Sequence, residues 1–136
     1  MLYYLIWGLK SPNLYLFLGY YFLYKDEFLR DEHKDKFKIP REINKILYYF
    51  QEAAKINNSE AYLQLGNLYY YGKYITRDEC KAIKNYKLAA DLGNSDAMIQ
   101  LGEMYFDEKF EQKDDSIALK YYELAAEKLN AKALLK

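Results

Sequence analysis

Side chains that could support nucleophilic catalysis are scarce in this sequence. Its 136 residues include one histidine, His33, and one cysteine, Cys80. A catalytic serine or cysteine needs a neighbouring base that a third group orients, whereas His33 lies in a charged stretch typical of a solvated loop. Asn44 and Ser116 stand at the positions equivalent to Cys80 in an internal repeat, so we interpret Cys80 as a small polar repeat residue. The sequence therefore predicts no catalytic residue and a protein that is not an enzyme.

The acidic residues do not form a recognisable metal site. Adjacent carboxylates occur at residues 26–27, 31–32 and 114–115. None of these pairs has the alternating oxygen ligands and tight glycine turn of a calcium loop. A single cysteine excludes an intrachain disulfide and a cysteine-rich metal site, and it leaves the choice between a cytosolic and a secretory compartment open. The glycines recur with the repeat and form no phosphate-binding loop, so we expect no metal ion and no cofactor.

The overall charge argues against a nucleic-acid partner. Twenty acidic and twenty basic residues cancel, so there is no global field that would attract a polyanion.

The apolar segment 1–24, in which Lys10 is the single charged residue, raises the question of a membrane or targeting role. A signal peptide begins with a basic region, which "MLYYLIWG" lacks. A spanning helix needs about 20 uninterrupted apolar residues, and "GLKSPN" interrupts the stretch. We favour a core helix here and keep membrane anchoring through residues 1–24 as the alternative.

Displacing the chain by 36 residues aligns it with itself. Residues 61–96 and 97–132 are identical at 14 positions, far more than chance gives. Such a period indicates a repeat architecture. The stretch "LYLFLGYYF" at residues 14–22 also aligns with "AYLQLGNLY" at residues 61–69, which predicts one further unit towards the N-terminus.

Each repeat has the pattern of two amphipathic helices. The apolar residues of the first helix fall on one helical face: Ala61, Leu65, Leu68 and Tyr69. The second helix carries a similar stripe: Ala82, Ile83, Tyr86, Ala89 and Ala90, repeated as Ala118, Leu119, Tyr122, Ala125 and Ala126. Asp78, Asp114 and Ser95 stand where helix starts need an acceptor for free N–H groups. Gly93 and Asn94 permit the left-handed conformation that ends a helix.

The pattern resembles the Sel1-like repeat, a relative of the tetratricopeptide repeat. The matching positions of the second unit are Ala61, Leu65, Gly66, Leu68, Tyr69, Gly72, Ile75, Asp78, Lys81, Ala82, Tyr86, Ala89, Ala90, Gly93, Asn94 and Ala97. The resemblance covers residues 42–136 well and residues 12–24 moderately. The sequence departs from the family's pattern where Tyr74, residues 107–111 and Leu129 replace expected glycines. We therefore expect the geometry of those turns to differ from that of the family.

The resemblance implies an all-α fold, an α/α solenoid of about three stacked helix-turn-helix repeats in a right-handed superhelix. We expect these units: 1–11, an N-terminal helix or cap; 12–60, a first repeat with a charged insertion at 25–41; 61–96, a second repeat; 97–132, a third; and 133–136, the start of a truncated fourth. The insertion contains six basic and five acidic residues. Both a solvated loop and a recognition element fit its composition.

The resemblance also implies the function of a protein-interaction module, an adaptor or scaffold that holds a protein or peptide in a concave groove. In the tetratricopeptide arrangement the first helix of each pair lines the groove. Carried over to this sequence, the groove residues are Tyr20, Leu23, Tyr24, Asn67, Tyr70, Tyr71, Glu103 and Phe106. We expect a monomer or part of a longer repeat array.

Overall fold

The computed structural model describes residues 12–28 and 43–134. Six helices, and no strand, occur in this part of the chain: α1 (Pro12–Phe28), α2 (Ile43–Lys55), α3 (Ser59–Tyr71), α4 (Glu79–Asp91), α5 (Ser95–Phe106) and α6 (Asp115–Leu134). Each helix packs against its neighbours in the chain, so α1–α2, α3–α4 and α5–α6 form three stacked pairs. The predicted all-α solenoid of helix pairs is confirmed.

Short polar side chains set where the helices begin. The Asp78 carboxylate accepts the Lys81 N–H at 3.0 Å at the start of α4. The Asn94 amide oxygen accepts the Ala97 N–H at 3.0 Å at the start of α5. The expectation that Ser95 caps α5 was wrong. Asn94 has the extended backbone of a capping residue, whereas Ser95 is already helical and buried, so the acceptor comes from one residue earlier.

The turns after α2 and α4 each contain a residue with positive φ. Gly93 has φ +90° after α4, as predicted, and Asn57 has φ +61° at the corresponding turn after α2. Leu129 stands at the equivalent position of α6, and α6 continues without a break through Leu134. A branched side chain is strained at positive φ, which explains why this helix does not turn. Residues 133 and 134, which we expected to begin a fourth repeat, belong to α6; the other two residues of that expected unit lie outside the described ranges.

Glycines in the first helices allow the two helices of each pair to approach closely. A Cβ atom added at Gly66 would lie 2.6 Å from the Tyr86 ring of α4. The same arrangement occurs between Gly19 and Phe50, and between Gly102 and Tyr122. In every pair an aromatic ring of the second helix therefore lies directly on the backbone of the first helix. Gly66 therefore permits the close approach of α3 and α4.

The apolar stripes of the second helices differ in how far they are covered. In α4, all five stripe residues are buried. In α6, Ala118 and Ala125 are buried, whereas Leu119 is 59% exposed and Tyr122 is 37% exposed. The difference arises because α5 covers the stripe of α4, while no further described helix packs on α6.

The turns inside the repeats contain buried aromatic rings where the family's pattern has glycine. Tyr74 and Phe110 occupy equivalent positions, and both are less than a tenth exposed. The turns also end their first helices differently from each other: Gly72 after α3 is left-handed, whereas Asp107 after α5 is extended. These rings fill the space under each turn, so the substitutions contribute to the core.

Two expectations concern residues beyond the described ranges. The expected N-terminal cap at residues 1–11 lies outside these ranges. The part of the charged insertion at residues 29–41, which includes His33, also lies outside them. Residues 25–28 of that insertion form the last turn of α1. Within the described ranges, no helix has the length and apolar character that crossing a membrane requires.

Candidate protein-binding groove

The first helices α1 and α3 border a cavity of about 200 Å³. We call this cavity, with the exposed aromatic rings on its rim, the groove. Its lining residues are Leu23, Tyr24, Gln64, Asn67, Leu68, Tyr71, Lys73 and Tyr74. Four of the eight residues predicted for the groove therefore lie around one cavity: Leu23, Tyr24, Asn67 and Tyr71.

Two tyrosines at the groove present their rings to solvent. Tyr24 is 54% exposed and Tyr71 is 62% exposed. Each of them contacts a more buried tyrosine. Tyr24 stacks on Tyr20, one helical turn earlier, at 5.9 Å between ring centroids, and Tyr71 meets the preceding residue, Tyr70, edge-on at 5.0 Å. The supporting rings restrict the exposed ones, so that less side-chain freedom remains to be lost when a partner binds.

Tyr20 is held in place by a hydrogen-bond network that joins the three helix pairs. Its hydroxyl donates to the Glu60 carboxylate at 2.8 Å. The amides of Gln64 and Asn94 donate to the same carboxylate at 3.2 and 3.4 Å. Burial is the main cause that raises the pKa of Tyr20, followed by the bond to Glu60. Tyr20 therefore stays a neutral donor over the physiological pH range and supports Tyr24 from below.

Asn67 and Tyr70 contact the core ring of the second pair. The Tyr86 hydroxyl donates to the Asn67 amide oxygen at 2.6 Å. Tyr70 lies against Tyr86 on one side and under the Arg77 guanidinium, 5.4 Å from its ring centroid, on the other. Burial raises the pKa of Tyr70 despite the nearby Arg77 charge. Both residues thus connect the groove to the packing of α3 on α4.

Among the eight predicted groove residues, Leu23 is the one that is buried in the core. Leu23 is 8% exposed and belongs to the core of the first two helix pairs. It lies one turn after Gly19, on the side of α1 that faces Phe50. Tyr20 shares this environment, because its ring meets Phe50 edge-on at 5.5 Å.

The third pair contributes Glu103 and Phe106, both exposed on α5. Phe106 is 60% exposed, and the Lys113 ammonium lies 5.3 Å from its ring centroid. These two residues do not line the cavity between α1 and α3.

Sequence reasoning missed four lining residues: Gln64, Leu68, Lys73 and Tyr74. Lys73 and Tyr74 belong to the turn after α3, where the Lys73 ammonium lies 5.0 Å from the Tyr74 ring centroid. The replacement of an expected glycine by tyrosine was the available signal, and it indicated an altered turn without indicating its contact with the groove.

The groove is lined by groups that can form hydrogen bonds and apolar contacts. Its lining carries hydroxyl, amide and ammonium groups beside apolar side chains. In the described residues, no three histidine, cysteine or acidic side chains gather as metal ligands would. Cys80, a free thiol, is exposed at the start of α4. The arrangement suits recognition of a side chain by contact and hydrogen bonding.

Comparison with known proteins identifies the class of repeat. The family model described as Sel1 repeat matches residues 38–58, 59–94 and 95–128. The chain belongs to the Sel1 repeat family. Proteins of this family are commonly protein-interaction modules, and the fold is generally a non-enzymatic scaffold. A search of curated protein sequences found no match.

Solved structures of other proteins share the fold, among them the following two. A Sel1 repeat protein from Oxalobacter formigenes superposes with a TM-score of 0.71 and 26% identity, over 89% of this chain and 45% of that one. A protective antigen of uropathogenic Escherichia coli strains, which displays an SLR fold, superposes with a TM-score of 0.69 and 22% identity, over 85% of this chain and 22% of that one. The chain therefore spans less than half the length of each of these proteins.

Proposed function

We propose that this protein is a non-enzymatic adaptor or scaffold that holds an extended segment of a partner protein in the groove between α1 and α3. The observation that carries the proposal is the pair of supported, exposed rings, Tyr24 and Tyr71, on the rim of one cavity. Tyrosine anchors dominate many protein interfaces, because a stiff ring gives a large contact area at low entropic cost.

The size of the cavity favours a single apolar or aromatic side chain as the group inserted. A cavity of about 150 Å³ accommodates a benzene ring, and this one measures about 200 Å³. Leu23 and Leu68 supply apolar walls, while Asn67 and Gln64 supply amide groups. A partner segment would place one side chain between these walls and its backbone across the two tyrosine rings.

The continuation of the bound segment would reach α5. Phe106 and Glu103 lie on the first helix of the next pair and are exposed. Because the first helices of stacked pairs lie side by side, an extended segment that leaves Tyr71 meets Phe106 next. The three helices together would give the contact length that one cavity lacks.

The test is affinity capture from the native source with the wild-type chain and a Tyr24→Ser/Tyr71→Ser variant. Tyr48 on α2, which is 52% exposed, supplies the matched control as Tyr48→Ser. Tyr20 and Tyr70 are left intact, since their contacts hold the fold. Circular dichroism and thermal melting must first show that both variants keep the wild-type fold.

A partner captured by the wild type and by Tyr48→Ser, and lost by the double variant, is the expected result. Equal capture by all three chains would move the binding surface away from the groove. Recovery in detergent fractions without a protein partner would favour the membrane alternative.

A further inference from the structure

A second cleft lies between the two second helices α2 and α4, on a different face of α3 from the groove. It has a volume of about 420 Å³ and is open to solvent. We call it the basic cleft; its lining residues are Gln51, Ala54, Lys55, Tyr62, Leu65, Tyr69, Lys81, Lys84, Asn85 and Leu88. Its volume falls in the range of about 300–1,000 Å³ that is typical of ligand sites.

The rim of the basic cleft is positively charged. Lys55, Lys81 and Lys84 are all exposed there, and no carboxylate is among the lining residues. Glu52 pairs with Lys55 at 2.6 Å. Among the described residues, no carboxylate lies within ion-pair distance of Lys81 or Lys84. Within the described part of the chain, Lys81 and Lys84 therefore have no neutralising carboxylate, and they lie above a floor that contains Leu65.

Lys81 is positioned by an aromatic ring of that floor. Its ammonium lies 5.3 Å from the centroid of the Tyr69 ring. The attraction of an ammonium group to the face of a ring contributes about 0.5–1 kcal/mol at exposed sites. This contact directs the charge of Lys81 over the cleft and keeps three donor hydrogens available on its ammonium group.

The equivalent position one repeat later contains an additional aromatic ring and carries less positive charge. There Tyr121 stands in place of Asn85 and stacks on Tyr105, with ring centroids 6.1 Å apart and planes 12° apart. Asp91 replaces Lys55, and Ile117 replaces Lys81. Lys87 replaces Gln51, and Lys120 is equivalent to Lys84. The later position therefore carries two lysines and one aspartate, whereas the basic cleft carries three lysines. The rim of three lysines is therefore not repeated in the next unit.

We propose that the basic cleft binds an acidic segment of a protein, with aspartate or glutamate side chains on Lys81 and Lys84 and a neighbouring apolar side chain on the floor. Charge complementarity selects the acidic groups. The lining contains no arginine, so each acidic group would be contacted by single lysine donors and not by a forked guanidinium. Ala54, Leu65 and Leu88 supply the apolar surface beside the charges.

This site is separate from the groove, and the experiment keeps the two apart. A display library of random 12-residue peptides is selected on the wild-type chain. Selected clones are then retested on Asn85→Tyr, which copies the residue that fills the later cleft, and on Tyr24→Ser/Tyr71→Ser. Lys84→Gln removes one charge of the cleft, and Lys120→Gln is its matched control in the next repeat. Each variant is first checked for wild-type helicity and melting.

We expect one class of peptides in which acidic residues alternate with apolar ones. Fluorescence anisotropy with a synthetic member of this class should show binding that is at least about tenfold weaker to Asn85→Tyr and roughly three- to tenfold weaker to Lys84→Gln. Binding should be unchanged for Lys120→Gln and for the groove variant. A version of the peptide with glutamine in place of glutamate should lose binding.

Several results would overturn the proposal. These are a selection without an acidic class, binding that survives Asn85→Tyr, and equal losses for Lys84→Gln and Lys120→Gln. Displacement of the peptide by inorganic phosphate or citrate that binds with one-to-one stoichiometry would reassign the cleft to a small anion. Clones that fail only on the groove variant would report on the proposed function and not on this cleft.

Discussion

The contact between Gly66 and Tyr86 makes the strongest prediction about the fold. In a Gly66→Ala variant the new methyl carbon would stand 2.6 Å from two ring carbons of Tyr86. Carbon atoms at optimal separation are about 3.5–4.0 Å apart, so the ring must withdraw by about 1 Å. Tyr86 is fully buried, and its hydroxyl donates to Asn67 at 2.6 Å, so this movement is resisted by the surrounding core and by the hydrogen bond.

The magnitude follows from opposing contributions. Overpacking a core costs about 1–3 kcal/mol, and weakening the Tyr86 hydrogen bond adds up to about 1 kcal/mol. Alanine is a better helix former than glycine by about 1 kcal/mol, which offsets part of the loss. We expect Gly66→Ala to lower the free energy of unfolding by about 1–2 kcal/mol, which corresponds to a fall in Tm of roughly 4–8 °C for a chain of this size.

Gly102 provides a matched control within the same chain. An added Cβ atom there would lie 2.8 Å from the Tyr122 ring. Tyr122 is 37% exposed, so its ring can swing towards solvent. We expect Gly102→Ala to change the free energy of unfolding by less than about 0.5 kcal/mol, or to stabilise slightly through helix propensity. Thermal melting and urea unfolding followed by circular dichroism measure both variants.

A second substitution isolates the contact itself. In a Tyr86→Leu background the ring is absent, so the penalty for Gly66→Ala should disappear and leave only the gain in helix propensity. An unchanged Tm for Gly66→Ala, equal losses at Gly66 and Gly102, or a penalty that persists without the ring would refute the role of the glycine in close approach.

Three further predictions concern the cap, the turn and the core tyrosines. Asn94→Ala removes the acceptor for the Ala97 N–H and should cost about 1 kcal/mol in urea unfolding, whereas Asn94→Ser should cost less; equal losses would contradict the cap. Tyr74→Ala empties a buried site and should cost about 3–5 kcal/mol, against less than about 0.5 kcal/mol for the exposed Tyr71→Ala; a small loss at Tyr74 would contradict its core role. Burial raises the pKa of Tyr86. The stability contributed by its neutral hydroxyl is therefore fully present below the pKa of about 10 that tyrosine has in the unfolded chain, and it is lost as the pH rises above that value. The free energy of unfolding should therefore fall more steeply above pH 10 in the wild type than in Tyr86→Phe, and identical slopes would contradict this.

The sequence predicted the helix pairs because their signals are local and recur. The glycine contacts, the capping aspartates and the small residues of the stripes repeat every 36 residues, and each repetition reinforces the same interpretation. The prediction that Ser95 caps α5 was wrong because both Asn94 and Ser95 are good capping residues. The choice between them depends on backbone angles.

The candidate sites were less predictable, because they depend on contacts between units. Alignment with the first helices found Tyr24 and Tyr71. It could not show that Leu23 is buried, since that depends on how Gly19 and Phe50 bring α1 onto α2. The basic cleft combines residues of α2, α3 and α4. Its opening depends on Asn85, and the next repeat has Tyr121 at this position, a difference that does not stand out in the sequence alone.

The central claim, that a partner protein contacts the groove, is tested most directly by photo-crosslinking. A photoreactive phenylalanine analogue is incorporated at position 71, on the groove rim, or at position 48, on the exposed side of α2, and the protein is irradiated in its native source. The account predicts a crosslink to a defined protein from position 71, lost when Tyr24→Ser is introduced, and none to that protein from position 48. A crosslink to the same protein from position 48 alone, or equally from both positions, would contradict the account.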